Sequence, residues 1–187
     1  MSYQVTRETR PSGYTVEVWT SEDACNPRKE WDNLGTVVLH DRCRYDFGDD
    51  TASNEELQEL AQRADLITLP VYMYDHSGIT INTSGFSCPW DSGMVGLIYV
   101  AKAKALKEWG GKILTAKLRA KVLECLRAEI KTLDGYITGQ VYGWKVIDPE
   151  GEEIDSCWGY YNELEYCLSE GMESAKYSEA QATEVRA

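Results

Sequence analysis

The chain has 187 residues, 43% of them hydrophobic and 11% aromatic, a composition able to bury a sizeable core. No apolar run approaches the ~20 residues that cross a bilayer, and residues 1–14 lack the apolar stretch of a secretory leader, so a cytoplasmic protein with no membrane partner is expected. A net charge of −12 excludes DNA binding by a generally basic surface, which needs many Lys and Arg phosphate contacts.

In chain order, "YTVEVWT" (14–20) alternates like a strand, with Tyr14, Val16 and Val18 on one face. "ACNPRKEWDNLG" (24–35) reads as a loop around Pro27 with room for one helical turn carrying Trp31, and "TVVLH" (36–40) as a second strand. "DRCRYDFGDD" (41–50) is an acidic loop. "SNEELQELAQRA" (53–64) is a helix in which Ser53 and Glu56 form a capping box. Leu57, Leu60, Ala61 and Ala64 are its buried stripe.

"LITLPVYMY" (66–74) and "ITINTS" (79–84) form a hairpin through "DHSG", and "MVGLIYV" (94–100), apolar on both faces, is a central strand. "AKAKALKEWG" (101–110) is helical up to Gly110-Gly111, and 115–137 is the longest helix. Its core stripe is Leu118, Val122, Cys125, Leu126, Ile130 and Leu133. Residues 140–161 are a hairpin around Asp148-Pro149-Glu150-Gly151. A last helix starts at Asn162 and points Leu164, Cys167, Leu168, Met172 and Ala175 inward. The pattern predicts an α+β fold: a mostly antiparallel sheet of about six strands built from hairpins, with three to four helices packed on it. Residues 1–177 are expected to form one domain and 178–187 a frayed tail.

Charge is unevenly spread. Residues 101–131 carry nine basic and three acidic side chains, while every other stretch is net acidic. Lys117, Arg119, Lys121, Arg127 and Lys131 lie mostly off the apolar stripe of their helix. They offer either an internal neutraliser of acidic neighbours or a site for weak contact with nucleic acid.

The densest chemistry is in "YDHSG" (74–78) and "SGFSCPWDSG" (84–93). Cys88 with His76 and Asp75 or Asp91 has the residue types of a Cys-His-Asp enzyme. Pro89, however, removes a backbone donor beside the sulfur. The same Asp, Ser and Gly residues also tie down turns, and loops on a rigid sheet are where binding residues gather. Asp75, His76, Ser77, Trp90 and Asp91 are therefore candidate partner contacts, together with Trp31, Asp49 and Asp50.

No metal is expected. The six cysteines include no C-x-x-C pair, the only histidines are His40 and His76, and the Asp46, Asp49, Asp50 spacing is not that of an EF-hand. No cofactor is expected either, since G-x-G-x-x-G, the P-loop and G-x-S-x-G are all missing.

The blocks "CNPRKEWDNLGTVV", "LPVYMYDHSGITINTSGFSCPWDSGMVGLIYV" and "EEIDSCWGYY" resemble a family of small acidic proteins found in bacteriophages and prophages. The resemblance implies a genomic context and transfers no catalytic residue. It implies an accessory protein that acts on its host by binding: a non-catalytic inhibitor of a defence nuclease or other nucleic-acid enzyme, of the anti-CRISPR or antirestriction type. Two alternatives remain at this point. One is a nucleic-acid-binding protein using the basic helix 115–133; the other is a small Cys/His or metal-dependent enzyme centred on Asp75, His76 and Cys88.

Overall fold

The computed structural model describes residues 2–185. In chain order it contains β1 Gln4–Thr9, β2 Thr15–Thr20, α1 Pro27–Glu30, β3 Thr36–His40, β4 Asp50–Ala52, α2 Asn54–Gln62, β5 Leu66–Asp75, β6 Ile79–Asn82, β7 Ser92–Ala101, α3 Lys102–Glu108, α4 Ala116–Ile137, β8 Val141–Ile147, β9 Glu153–Tyr161 and α5 Leu164–Val185. The fold is α+β, and all strand pairs but β3–β4 are antiparallel. The strands form two sheets, ordered β1-β2-β8-β9 and β4-β3-β7-β5-β6. Contacts divide the chain into two compact units. One is Asn26–Thr138; the other joins the chain up to Cys25 to the chain from Gly139 on. The division follows from pairing between distant segments, because β2 pairs with β8 over Thr15↔Ile147 to Thr20↔Tyr142.

In the terminal unit the alternation of β2 puts Val16 and Val18 on the face that α5 covers. They pack with Tyr142, Trp144 and Val146 against Cys167 and Ala175. The helix comes so close that a Cβ on Gly171 would lie 2.7 Å from a Val16 methyl and 3.0 Å from the Trp144 ring. Just before α5, Asn162 adopts φ 58° and donates its backbone N–H to the Gln140 carbonyl. The helix continues through residues 178–185, which the sequence reading leaves as a tail. Arg10 explains this, donating from Nε and Nη2 to one Glu179 oxygen at 2.9 and 2.8 Å and holding that carboxyl below the usual range. Arg186 and Ala187, the end of the expected tail, lie outside the described residues.

In the central unit, odd and even positions of the strands feed two opposite layers. Val37, Leu39, Ile67, Val71, Ile98 and Val100 meet Val122, Leu126, Ile130 and Leu133 of α4. On the other face Val38 and Leu97 meet Ala52 and Leu57 under α2, whose predicted capping box is present at Ser53 and Glu56. Ala61 and Ala64, expected on the buried stripe of that helix, are exposed. The edge strand β6 is tied to α4 through Asp134, which accepts from Thr80 Oγ1 at 2.7 Å and from the Ile81 N–H at 2.8 Å. Among the described residues, no helix is long and apolar enough to cross a membrane.

Gly171→Ala should cost about 1–3 kcal/mol in chemical denaturation, since the added methyl must displace Val16 or the Trp144 ring. Burial pushes the Cys167 thiol up to about 12, against about 8.5 in an unfolded chain. The native state therefore keeps a proton that the unfolded state releases, and this contribution to stability is full below the unfolded value and lost as pH rises toward the folded one. Denaturation midpoints should fall between pH 8 and 11, and Cys167→Ala should flatten that slope.

Candidate functional site

Two clusters in the central unit account for most of the dense sequence. The first is buried. Asn26 accepts from the Arg28 N–H at 2.9 Å and starts the single turn α1 with Pro27 in its first position, where a missing N–H costs nothing. Asn33 donates back to the Pro27 carbonyl at 2.7 Å. This turn delivers Arg28, whose side chain is only 4% exposed. Its guanidinium forks onto the two Asp49 oxygens, reaches Glu129 Oε2 at 2.8 Å and donates to the Gly35 carbonyl at 2.7 Å.

The two acids are shared with backbone. Glu129 accepts from the N–H groups of Leu34 and Gly35 at 2.8 and 3.1 Å, and Asp49 from that of Val37 at 2.7 Å. Burial alone would lower the Arg28 pKa, but Asp49 and Glu129 outweigh it and hold the charge above its ordinary range. A Cβ on Gly35 would lie 2.6 Å from Leu126, so this position admits no side chain against α4.

Asp49, a candidate contact from the sequence, is exposed and serves as a ligand of Arg28. Asp50 is exposed, and its carboxylate accepts from the Thr51 N–H. Trp31 is 44% exposed and lines a cleft of about 330 Å³ with Leu34, Lys104, Trp109 and Cys125.

The second cluster is an apex at one end of the five-stranded sheet, where "YDHSG" and "SGFSCPWDSG" meet. Register brings them together: β5 pairs with β7 through Tyr74↔Ser92, and the Asp75 N–H donates to the Asp91 carbonyl at 2.8 Å. Ser77 takes φ 58°, a rare left-handed position for a side-chain-bearing residue, and the His76 N–H closes the turn onto the Gly78 carbonyl at 3.0 Å. The second loop begins with Asn82 accepting from the N–H groups of Ser84 and Gly85 at 3.0 and 2.7 Å. It ends with Ser92 Oγ donating to the Cys88 carbonyl.

One Asp91 oxygen sits 3.5 Å from His76 Nδ1 and accepts from Cys88 Sγ at 3.5 Å. Asp75 is held from the side by Arg44 at 2.6 Å and the Tyr45 hydroxyl at 3.0 Å. The Tyr74 ring stands 6.1 Å from the His76 ring and 5.7 Å from Phe86. The order of contacts is therefore His–Asp–Cys. The carboxylate lies in the middle, and no contact places the imidazole on sulfur as a general base for Cys88 requires.

Above this network Trp90 is 92% exposed and Met94 53%. Tyr72 and Met73 point to opposite faces of β5. Tyr72 borders an open hollow of about 650 Å³ with Phe86 and Pro89, and Met73 one of about 360 Å³ with Arg44, Asp75 and Met94. Among the described residues, no three His, Cys, Asp or Glu side chains converge as metal ligands.

Lys117, Arg119, Lys121, Arg127 and Lys131 are all exposed on α4, away from the apex contacts just described. Sequence reasoning missed Arg28 with Glu129, and Arg44 with Tyr45. An arginine in a polar loop carries no signal of burial, and its acids lie far along the chain. Comparison with known protein families, with curated proteins and with solved structures finds no match.

Removing Arg28 leaves two acids facing each other and three backbone N–H groups on misplaced acceptors. Arg28→Ala should cost about 3–5 kcal/mol in denaturation, whereas Arg44→Ala at the exposed apex should leave the midpoint unchanged.

Proposed function

We propose that this chain is a phage-encoded accessory protein that binds and inhibits a host nucleic-acid-directed defence enzyme, of the CRISPR-effector or restriction type, in the host cytoplasm. It acts by contact and not by catalysis, and the contact surface is the apex at the end of the five-stranded sheet. The observation that carries the binding reading is Trp90, 92% exposed on a loop whose two ends and centre are fixed by hydrogen bonds. Tryptophan is the side chain most enriched among interface hot spots. A loop already held in one conformation loses little entropy on binding. Asp75, His76, Ser77 and Asp91 surround it, with Met94 as a second apolar contact. The partner class draws on the resemblance of three sequence blocks to phage proteins and on the −12 charge, which complements the cationic channel of an enzyme that handles DNA.

Pull-down from a bacterial host lysate should recover such an enzyme, with association that weakens as salt rises. Trp90→Ala should reduce recovery about 30-fold, the scale of a 2 kcal/mol hot spot, at unchanged melting temperature. Cys88→Ala should retain full inhibition. Recovery of no nucleic-acid enzyme, or equal recovery by Trp90→Ala, would overturn the proposal.

A further inference from the structure

Helix α4 carries a second surface that the apex does not use. Its apolar side, Val122, Leu126, Ile130 and Leu133, is buried in the central core. At 100° per residue the opposite side presents Lys117, Lys121, Arg127 and Lys131, separated by Ala120 and Ala128 and interrupted by one acid, Glu124. Arg119 near the helix start is also exposed, but at 100° per residue it lies on the side of Val122 and Leu126 and not on the ridge.

A basic helix in an acidic protein has an ordinary explanation, which is neutralisation of its own neighbours. That explanation requires ion pairs. This fold makes them where acids are in reach: Arg10 with Glu179, Arg28 with Asp49 and Glu129, Arg44 with Asp75 and Arg63 with Asp65. Among the described residues, Lys117, Arg119, Lys121 and Arg127 make no ion pair or hydrogen bond. Three of these, Lys117, Lys121 and Arg127, lie on the ridge in a chain of charge −12.

We infer that the ridge of α4 is a binding site for the phosphate backbone of duplex nucleic acid. From Lys117 to Lys131 the ridge runs about 21 Å at 1.5 Å per residue, the axial length of about six base-pair steps. The alanines between the cations keep the surface low, so the charged ends reach a phosphate row without obstruction. The ridge has no aromatic side chain on which an unpaired base stacks, which favours a duplex over a single strand. Recognition is by charge alone, and the site does not discriminate sequence.

The test is fluorescence anisotropy of a labelled 20-base-pair DNA duplex of mixed sequence titrated with the purified full chain. Three phosphate contacts give a slope of log affinity against log salt of about −2.7, hence a loss of about 40-fold between 50 and 200 mM salt. Lys121→Glu with Arg127→Glu should abolish binding at 50 mM salt, and Glu124→Gln should tighten it; both positions are exposed, and circular dichroism should be unchanged. Trp90→Ala should bind the duplex like wild type, which separates this site from the apex: failure of either leaves the other standing. No binding at 50 mM salt, binding indifferent to the double reversal, or equal affinity for polyglutamate or for vesicles containing 30% phosphatidylserine would each overturn the inference.

Discussion

The central unit depends on one buried cation. Arg28 is inserted between Asp49, just before β4, and Glu129, in the middle of α4, and it also takes the carbonyl of Gly35. Each acid in turn holds backbone N–H groups at the entrance to β3. One guanidinium thus fixes the loop before β3, the start of β4 and the position of α4 over the sheet. Glycine at 35 is the steric counterpart, since any side chain there collides with Leu126. A buried pair of this kind adds little net stability compared with an apolar substitute, but it tolerates no partial removal. Its effect is to allow a single arrangement of loop, strand and helix.

That arrangement matters because the apex is an extension of the same sheet. β5 and β7 run from the core under α4 out to Tyr74↔Ser92, so the rigidity of the core is carried to the loops that present Trp90. At the apex the polar groups are turned on one another: Asp91 takes His76 and Cys88, and Asp75 takes Arg44 and Tyr45. Such a network fixes shape and leaves the exposed apolar side chains as the available contact. The basic ridge of α4 is built on the opposite logic: among the described residues, its Lys117, Lys121 and Arg127 make no ion pair, and alanines separate them. The two surfaces differ in chemistry: one presents apolar side chains on a hydrogen-bonded network, the other exposed cations.

Much of this was legible in the sequence. The capping box at Ser53 and Glu56, the stripe of α4 and the doubly apolar β7 are local patterns, and local patterns survive folding. The short or nonlocal pairings were not legible. β1 and β4 lack a recognisable strand pattern, and β4 begins at the last residue of a segment read as an acidic loop. The β2–β8 pairing, which separates the terminal unit from the central one, joins residues at opposite ends of the chain. At the candidate site, the residue types of the two dense loops pointed to the apex, but only the register of β5 with β7 showed that they touch. Arg28 was missed because an arginine in a polar loop looks solvated until its partners, Asp49 and Glu129, are located in space.

The claim on which the account rests is that the apex is one preorganised structure and not a pair of open loops. Amide hydrogen exchange on the free protein, resolved over residues 72–96, tests it directly. The account predicts that the amides of Asp75, His76, Ser84 and Gly85, each bonded within the apex, exchange nearly as slowly as the paired amides of β5 and β7. It also predicts that the indole of Trp90 remains fully open to solvent quenchers. Exchange at those four amides as fast as in an unstructured peptide would contradict it.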